Sequence, residues 1–229
     1  MAMKTDAASI SLTALLLSLA GCGGAMARGE PLTNPGDIAA TAVATTGTTV
    51  PVRVVFEWEY ADDRGRLRGD GASRVNPPDR FRLDLYSTAE GSMRAALVDD
   101  DLVIGGQIED VQFPPPTFLY AMAGVFRPGP GSPVEGFRSG DLDVLGYATA
   151  DGSVRYFYFD NGRLERVEER RGSRLLRRIV LEWGEDPAWP SEARYRDDVT
   201  PNVVRWQLVR VIPQEDRWPE DIYDISPNG

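Results

Sequence analysis

The sequence predicts a mainly β protein: one large antiparallel sheet of about eleven strands, with one or two short helices set against it. Three observations predict this. From Val50 onward, apolar and polar residues alternate with period two, the spacing of half-buried strands. Turn signals divide these runs, the strongest being the two-residue hairpin pairs Asp151-Gly152 and Asn161-Gly162. One short segment, Thr117–Phe126, breaks the alternation and is apolar nearly all round, as a buried or lipid-facing helix is.

The N-terminus is set apart from this body. Lys4 gives a positive start, partly cancelled by Asp6, and Ile10–Ala20 is an apolar run containing Leu15–Leu17. That run is about half as long as the roughly 20 residues a membrane-spanning helix needs. It reads as a targeting segment, residues 1–21, to be left out of fold reasoning. Leu19-Ala20-Gly21-Cys22 then resembles a bacterial lipobox, in which small residues precede a cysteine that receives a diacylglycerol and becomes the first residue after cleavage. Cys22 is the chain's only cysteine, so an internal disulfide is impossible. A catalytic thiol would lack an activating histidine, because the sequence has none. Gly23, rather than aspartate, follows the cysteine; by resemblance to enterobacterial lipoproteins this implies a protein anchored on the periplasmic face of the outer membrane. Residues 22–49 are expected to be a lipidated tether with a short helix over Ile38–Thr45 that Asp37 could cap.

The body, residues 50–212, is expected to contain these strands in one meander. Val52–Tyr60 ends at Asp62-Asp63-Arg64-Gly65. Leu67–Val75 and Arg80–Ser87 flank Asn76-Pro77-Pro78-Asp79. Met93–Val98 and Leu102–Ile108 join at Asp99-Asp100-Asp101. After the break come Asp141–Thr149, Ser153–Phe159, Arg163–Arg170, Leu175–Trp183, Glu192–Arg196 and Asn202–Ile212. Alternation puts Phe81, Leu83 and Leu85 on one face, then Ile179, Leu181 and Trp183, then Val204, Trp206 and Leu208. A sheet with one greasy face must cover it, by curling or by packing a helix on it. The cover is Thr117–Phe126, after three prolines that stop a strand and before Pro128-Gly129-Pro130-Gly131. Its Phe118, Leu119, Tyr120, Met122, Val125 and Phe126 either plug the sheet as ordinary core or form a movable lid over an apolar cavity.

The combination resembles the LolA/LolB-like family. Pro115, Leu119 and Gly124, with Pro128 beyond, are similar to the family's proline-leucine-glycine-proline spacing after the fifth strand, and "DRFRLDLYS" is similar to its third strand. The resemblance implies a half-open β-barrel whose apolar concave face is covered by short helices. It also implies the family's role, carrying lipoprotein acyl chains to the bacterial outer membrane or receiving them there. The implied cavity residues are Phe81, Leu83, Leu85, Phe118, Leu119, Met122, Val125, Phe126, Ile179, Leu181, Trp183, Trp206 and Leu208. LolB-like receptors project a bulky apolar residue from a loop between early strands; here "STAEGSM", residues 87–93, offers only Met93, so full receptor activity is not implied.

Composition narrows the function further. A net charge of −10 argues against a nucleic-acid partner. The lack of histidine removes the usual general base, the Ser-His and Cys-His pairs and most zinc sites, which argues against an enzyme. Asp99-Asp100-Asp101 has no EF-hand spacing and reads as a solvated turn, as do Asp141 and Asp143 on a strand. No glycine-rich phosphate loop opens a helix, and neither a metal nor a cofactor is expected. The 35 acidic residues make chance carboxylate pairs common, leaving glycoside hydrolysis open on composition alone. The acidic tail, residues 213–229, interleaves Trp218, Ile222, Tyr223 and Ile225; it packs a loose end on the barrel or binds a partner. Two readings compete: an envelope protein that buries an acyl chain or lipoprotein in an apolar cavity, and a structural lipoprotein whose interior the plug fills.

Overall fold

The computed structural model describes residues 29–87, 91–107, 111–185 and 189–225. Cys22 and the segment around it lie outside these residues. Among the described residues the fold is one antiparallel sheet of 13 strands, curved into a half-open barrel and not closed, with two α-helices. In chain order the elements are β1 (Glu30–Pro31), α1 (Pro35–Thr45), β2 (Val52–Asp62), β3 (Arg66–Asn76), β4 (Arg80–Ser87), β5 (Gly91–Val98) and β6 (Asp101–Gly106). Then follow α2 (Pro116–Met122), β7 (Glu135–Ser139), β8 (Leu142–Ala148), β9 (Val154–Asp160), β10 (Arg163–Arg171), β11 (Arg174–Trp183), β12 (Pro190–Asp197) and β13 (Asn202–Pro213).

Two strands were not expected. Glu30–Pro31, within the segment read as tether, pairs with β7, and Leu32 N–H continues the ladder to the Gly136 carbonyl at 3.1 Å. β7 itself lies in a glycine- and serine-punctuated stretch too short to show alternation. The order in the sheet is β1-β7-β8-β9-β10-β11-β12-β13-β2-β3-β4-β5-β6, which is not the single meander expected. The chain runs outward from β2 to the edge at β6, crosses through α2, restarts at the other edge and returns to pair β13 with β2. The crossing follows from Pro114-Pro115-Pro116, which cannot donate to another ladder.

Alternation directs the faces. From β2, Val52, Val54, Phe56, Trp58 and Tyr60 are buried on the concave side. Phe81, Leu83 and Leu85 join them from β4, with Met93, Ala95 and Leu97 from β5. Met93 is thus core rather than an exposed tip. Gly71 explains the glycine in β3: a Cβ there would lie 2.4 Å from the Phe56 ring, which needs that space to stack on Trp206 at 4.9 Å. A second, smaller apolar cluster on the other face joins Phe137, Val144, Tyr156 and Tyr158.

α2 is shorter than the expected Thr117–Phe126, and its end has a local cause. Gly124, at φ +74, sits just past the helix; its N–H bonds the Ala121 carbonyl and Val125 N–H bonds the Tyr120 carbonyl. This double closure is the Schellman arrangement, which requires the left-handed backbone that glycine adopts without strain. A side chain at that position would also meet Trp183 Cη2 at 2.7 Å. α1 begins two residues before Asp37, which lies in its first turn rather than capping it, with Asn34 as the cap residue and Pro35 as the first helical residue.

Residues 214–225 of the tail lie on the convex face over β3–β5. Asn76 and Trp218 exchange two hydrogen bonds, each 2.9 Å, between the Asn76 amide and the Trp218 backbone. Glu220 pairs with Arg80, and the Tyr223 ring is buried, which pushes its hydroxyl pKa up to about 12.

Candidate functional site

The thirteen residues expected to line a cavity all converge. Phe81, Leu83, Leu85, Phe118, Leu119, Met122, Phe126, Ile179, Leu181 and Trp206 are buried in one apolar cluster, and Val125, Trp183 and Leu208 pack half-buried against it. Most of them make a filled core. α2 stands in the middle of the concave face, with Phe118, Tyr120, Ala121 and Met122 all 0% exposed. Phe118 meets Tyr195 edge-on at 5.4 Å, and Phe126 meets Phe157 and Phe159 at 4.9 and 5.1 Å. Leu85 and Trp206 border a space of about 20 Å³ beside Val111 and Phe113, far too small for an acyl chain.

Both ends of the plug are tied down by polar contacts. Near its start, Arg155 donates to Thr117 Oγ1 at 3.0 Å and to Glu169 Oε2 at 2.7 Å. Glu169 also accepts from Arg177 at 2.6 Å, and Arg177 Nε reaches Asp197 Oδ2 at 3.0 Å. The Tyr195 hydroxyl donates to the same oxygen. This chain of charges spans β9 to β12 on the concave side. Burial opposes ionisation of Asp197, but the N–H groups of Val199 and Thr200, Arg177 and the Tyr195 hydroxyl outweigh it and hold its carboxyl below the usual range. Burial pushes the Tyr195 hydroxyl up. Toward its other end, the Tyr120 hydroxyl, also raised by burial, donates to the Asp79 carbonyl at 2.7 Å. A buried charged network of this kind fixes one arrangement more than it adds stability, because desolvation offsets the pairing.

Open space lies elsewhere, at the mouth of the half-barrel. A groove of about 870 Å³ runs between α1, the loop following α2 and the β3–β4 turn. Phe81, Val75, Phe126 and Tyr147 form its apolar floor. Its α1 wall is small and apolar, with Ala39, Ala40 and Val43, and the other wall carries Val125, Pro128 and Pro133. Val43 is 61% exposed although apolar. Only Ala42 of α1 is fully buried, and the helix is held at its C-terminal side, where Thr46 Oγ1 accepts from Phe126 N–H at 2.9 Å. Of the thirteen expected residues, Phe81, Val125 and Phe126 border this groove. The α1 wall was missed because Ala and Thr residues show little amphipathic pattern. Asp100 and Arg127, also at the groove, were missed because 27 residues separate partners that only the fold brings together.

An open antiparallel sheet whose apolar concave face is filled by a short helix is a LolA-like half-barrel, and this chain has that fold. Its solved counterparts include a LolA superfamily protein from Nitrosomonas europaea, with TM-score 0.55 and 13% identity over 83% of this chain and 97% of that one. A domain assigned to outer-membrane lipoprotein sorting from Vibrio parahaemolyticus gives TM-score 0.52 and 11% identity over 83% and 96% of the two chains. At such identities the likeness is one of fold alone. No family model matches the sequence, and no curated protein matches it. Among the described residues no helix is long and apolar enough to cross a membrane.

Proposed function

We propose that this protein is a non-enzymatic lipoprotein of the bacterial envelope, anchored through Cys22, that binds the acyl chain of a lipoprotein or another lipid at the mouth of its half-barrel. The observation that carries the reading is the groove. Its volume of about 870 Å³ falls in the range of small-molecule sites, roughly 300–1,000 Å³. Its floor is the apolar concave face, and each buried CH₂ would contribute about 0.8 kcal/mol. The LolA-like fold supports the carrier class and the envelope location. The Leu19-Ala20-Gly21-Cys22 stretch supports the anchor.

A structural role has its own support in the burial of residues 118–122 of α2, which leaves no room for a chain beneath the plug. The proposal therefore places the ligand beside α2, against α1, with the plug remaining in place. The test is titration of a fluorescent long-chain fatty acid and its methyl ester into residues 23–229, next to Ala40→Trp. That substitution projects a large ring from an exposed position on the α1 wall, where it should fill the groove with little effect on folding. Saturable binding of at least one probe, lost in Ala40→Trp at an unchanged melting temperature, supports the reading. Absence of binding to the wild type leaves the structural reading.

A further inference from the structure

The groove has a charge arrangement that bears on the head of its occupant. Among the described residues, Asp100 and Arg127 are the charged ones that line it, and they face each other. Arg127 Nε lies 2.8 Å from Asp100 Oδ1, and Arg127 Nη1 lies 3.6 Å from Asp79 Oδ2. The guanidinium also sits over the Tyr120 ring, 4.8 Å from its centroid. Tyr120 is itself fully buried and bonded to the Asp79 carbonyl. Two carboxylates and an aromatic face thus hold the cation, and the cluster retains an excess negative charge. α1 adds the same sign. Its last turn reaches the groove at Ala44 and Thr46 and has no basic residue, so the negative end of the helix dipole is left uncompensated there.

A free fatty acid or an anionic phospholipid with its chain in this groove would place a carboxylate or phosphate near carboxylates, with no unengaged cation among the described lining residues to receive it. Like charges in a partly desolvated site repel far more than in water. An ester- or amide-linked chain asks only for hydrogen bonds, and Thr49 and Ser132 lie on the groove. Building on the reading that the groove takes an acyl chain, we infer that it selects chains whose head carries no negative charge, and that the Asp79–Arg127–Asp100 cluster sets this selectivity.

The test uses one fluorescent long chain with three heads at pH 8: the free carboxylate, the methyl ester and an amide on an uncharged short peptide. The ester or the amide should bind saturably, with the carboxylate weaker on the order of tenfold. Ester binding without amide binding indicates a neutral glyceride as the source of the chain; the reverse indicates an acylated polypeptide; both outcomes support the selectivity. Asp100→Asn is the decisive variant. Asparagine accepts the positive φ of +75 at this turn position, so the turn is kept while Arg127 loses one partner. It should narrow the gap between carboxylate and ester affinity severalfold. Equal or tighter binding of the carboxylate by the wild type overturns the inference while the acyl-binding reading stands. Binding of no probe overturns both.

Discussion

Replacing Phe118 by Ala distinguishes a fixed plug from a cover that lifts. The Phe118 side chain is 0% exposed, packs edge-on against Tyr195 at 5.4 Å and lies under the Arg155 guanidinium at 5.2 Å. Truncating a fully buried phenylalanine costs about 3–5 kcal/mol, from lost transfer energy and the cavity left behind. The upper half of that range suits this site, because the strands around it are held by the Arg155–Glu169–Arg177–Asp197 network and cannot close the space. In a chain of this size, each kcal/mol lowers the melting temperature by about 2–4 °C, so a fall of roughly 8–20 °C is expected. Urea titration followed by tryptophan fluorescence should show a lower midpoint at unchanged slope, since the slope follows the surface exposed on unfolding. Phe118 does not line the groove, so well below the transition the affinity for an acyl probe should stay near that of the wild type. A stability loss below about 1 kcal/mol together with lost probe binding would refute the reasoning. It would mean that α2 leaves the concave face at little cost and that the chain binds beneath it.

Three further outcomes follow from single residues. The lowered folded pKa of Asp197 contributes stability that is fully present above its unfolded value, about 3.9, and lost as the pH falls through the folded one. Melting temperatures should therefore drop below about pH 4, and Asp197→Asn, less stable at neutral pH, should lose less over that interval. Gly124→Ala should destabilise by about 2 kcal/mol or more in denaturant titration, combining the left-handed penalty with the clash against Trp183. Gly129→Ala, at φ +91 with nothing within 4 Å, should show the backbone penalty alone, and equal losses at the two sites would contradict the packing argument. Cys22→Ala should abolish partitioning into detergent, while mass spectrometry of the wild type should find a diacylglycerol on Cys22 as the first residue; an unmodified thiol would remove the anchor from the proposed function.

The convex tail and the concave plug show how differently the two faces use charge. On the convex side Arg74 and Arg82 share the buried Asp84, and Arg80 meets Glu220 of the tail. On the concave side a chain of charges runs from Arg155 to Asp197, close to the start of α2, where Arg155 also reaches Thr117. Single arginines and acids in alternating strands look alike in sequence on either face, so composition could not separate a surface ion pair from the fastening of the plug.

The sequence by itself determined eleven of the thirteen strands and their faces. Period-two alternation in "RFRLDLY" and "RRIVLEW" is a local property, since neighbouring side chains on a strand must point opposite ways, and the buried Phe81, Leu83, Leu85, Ile179 and Leu181 follow from it. The hairpin at Asn161-Gly162 was legible for the same reason: both residues take positive φ, which few others accept. What only the tertiary structure decided was the order of the strands, the early end of α2 and the place of the open space. β13 pairs with β2 across about 150 residues, and no local pattern encodes a partner so distant. The apolar residues on the concave face look the same in sequence whether a helix or a ligand covers them. The outcome depends on volume: α2 fills the centre of the face to full burial, while the small side chains of α1 stop short and leave the groove at the mouth.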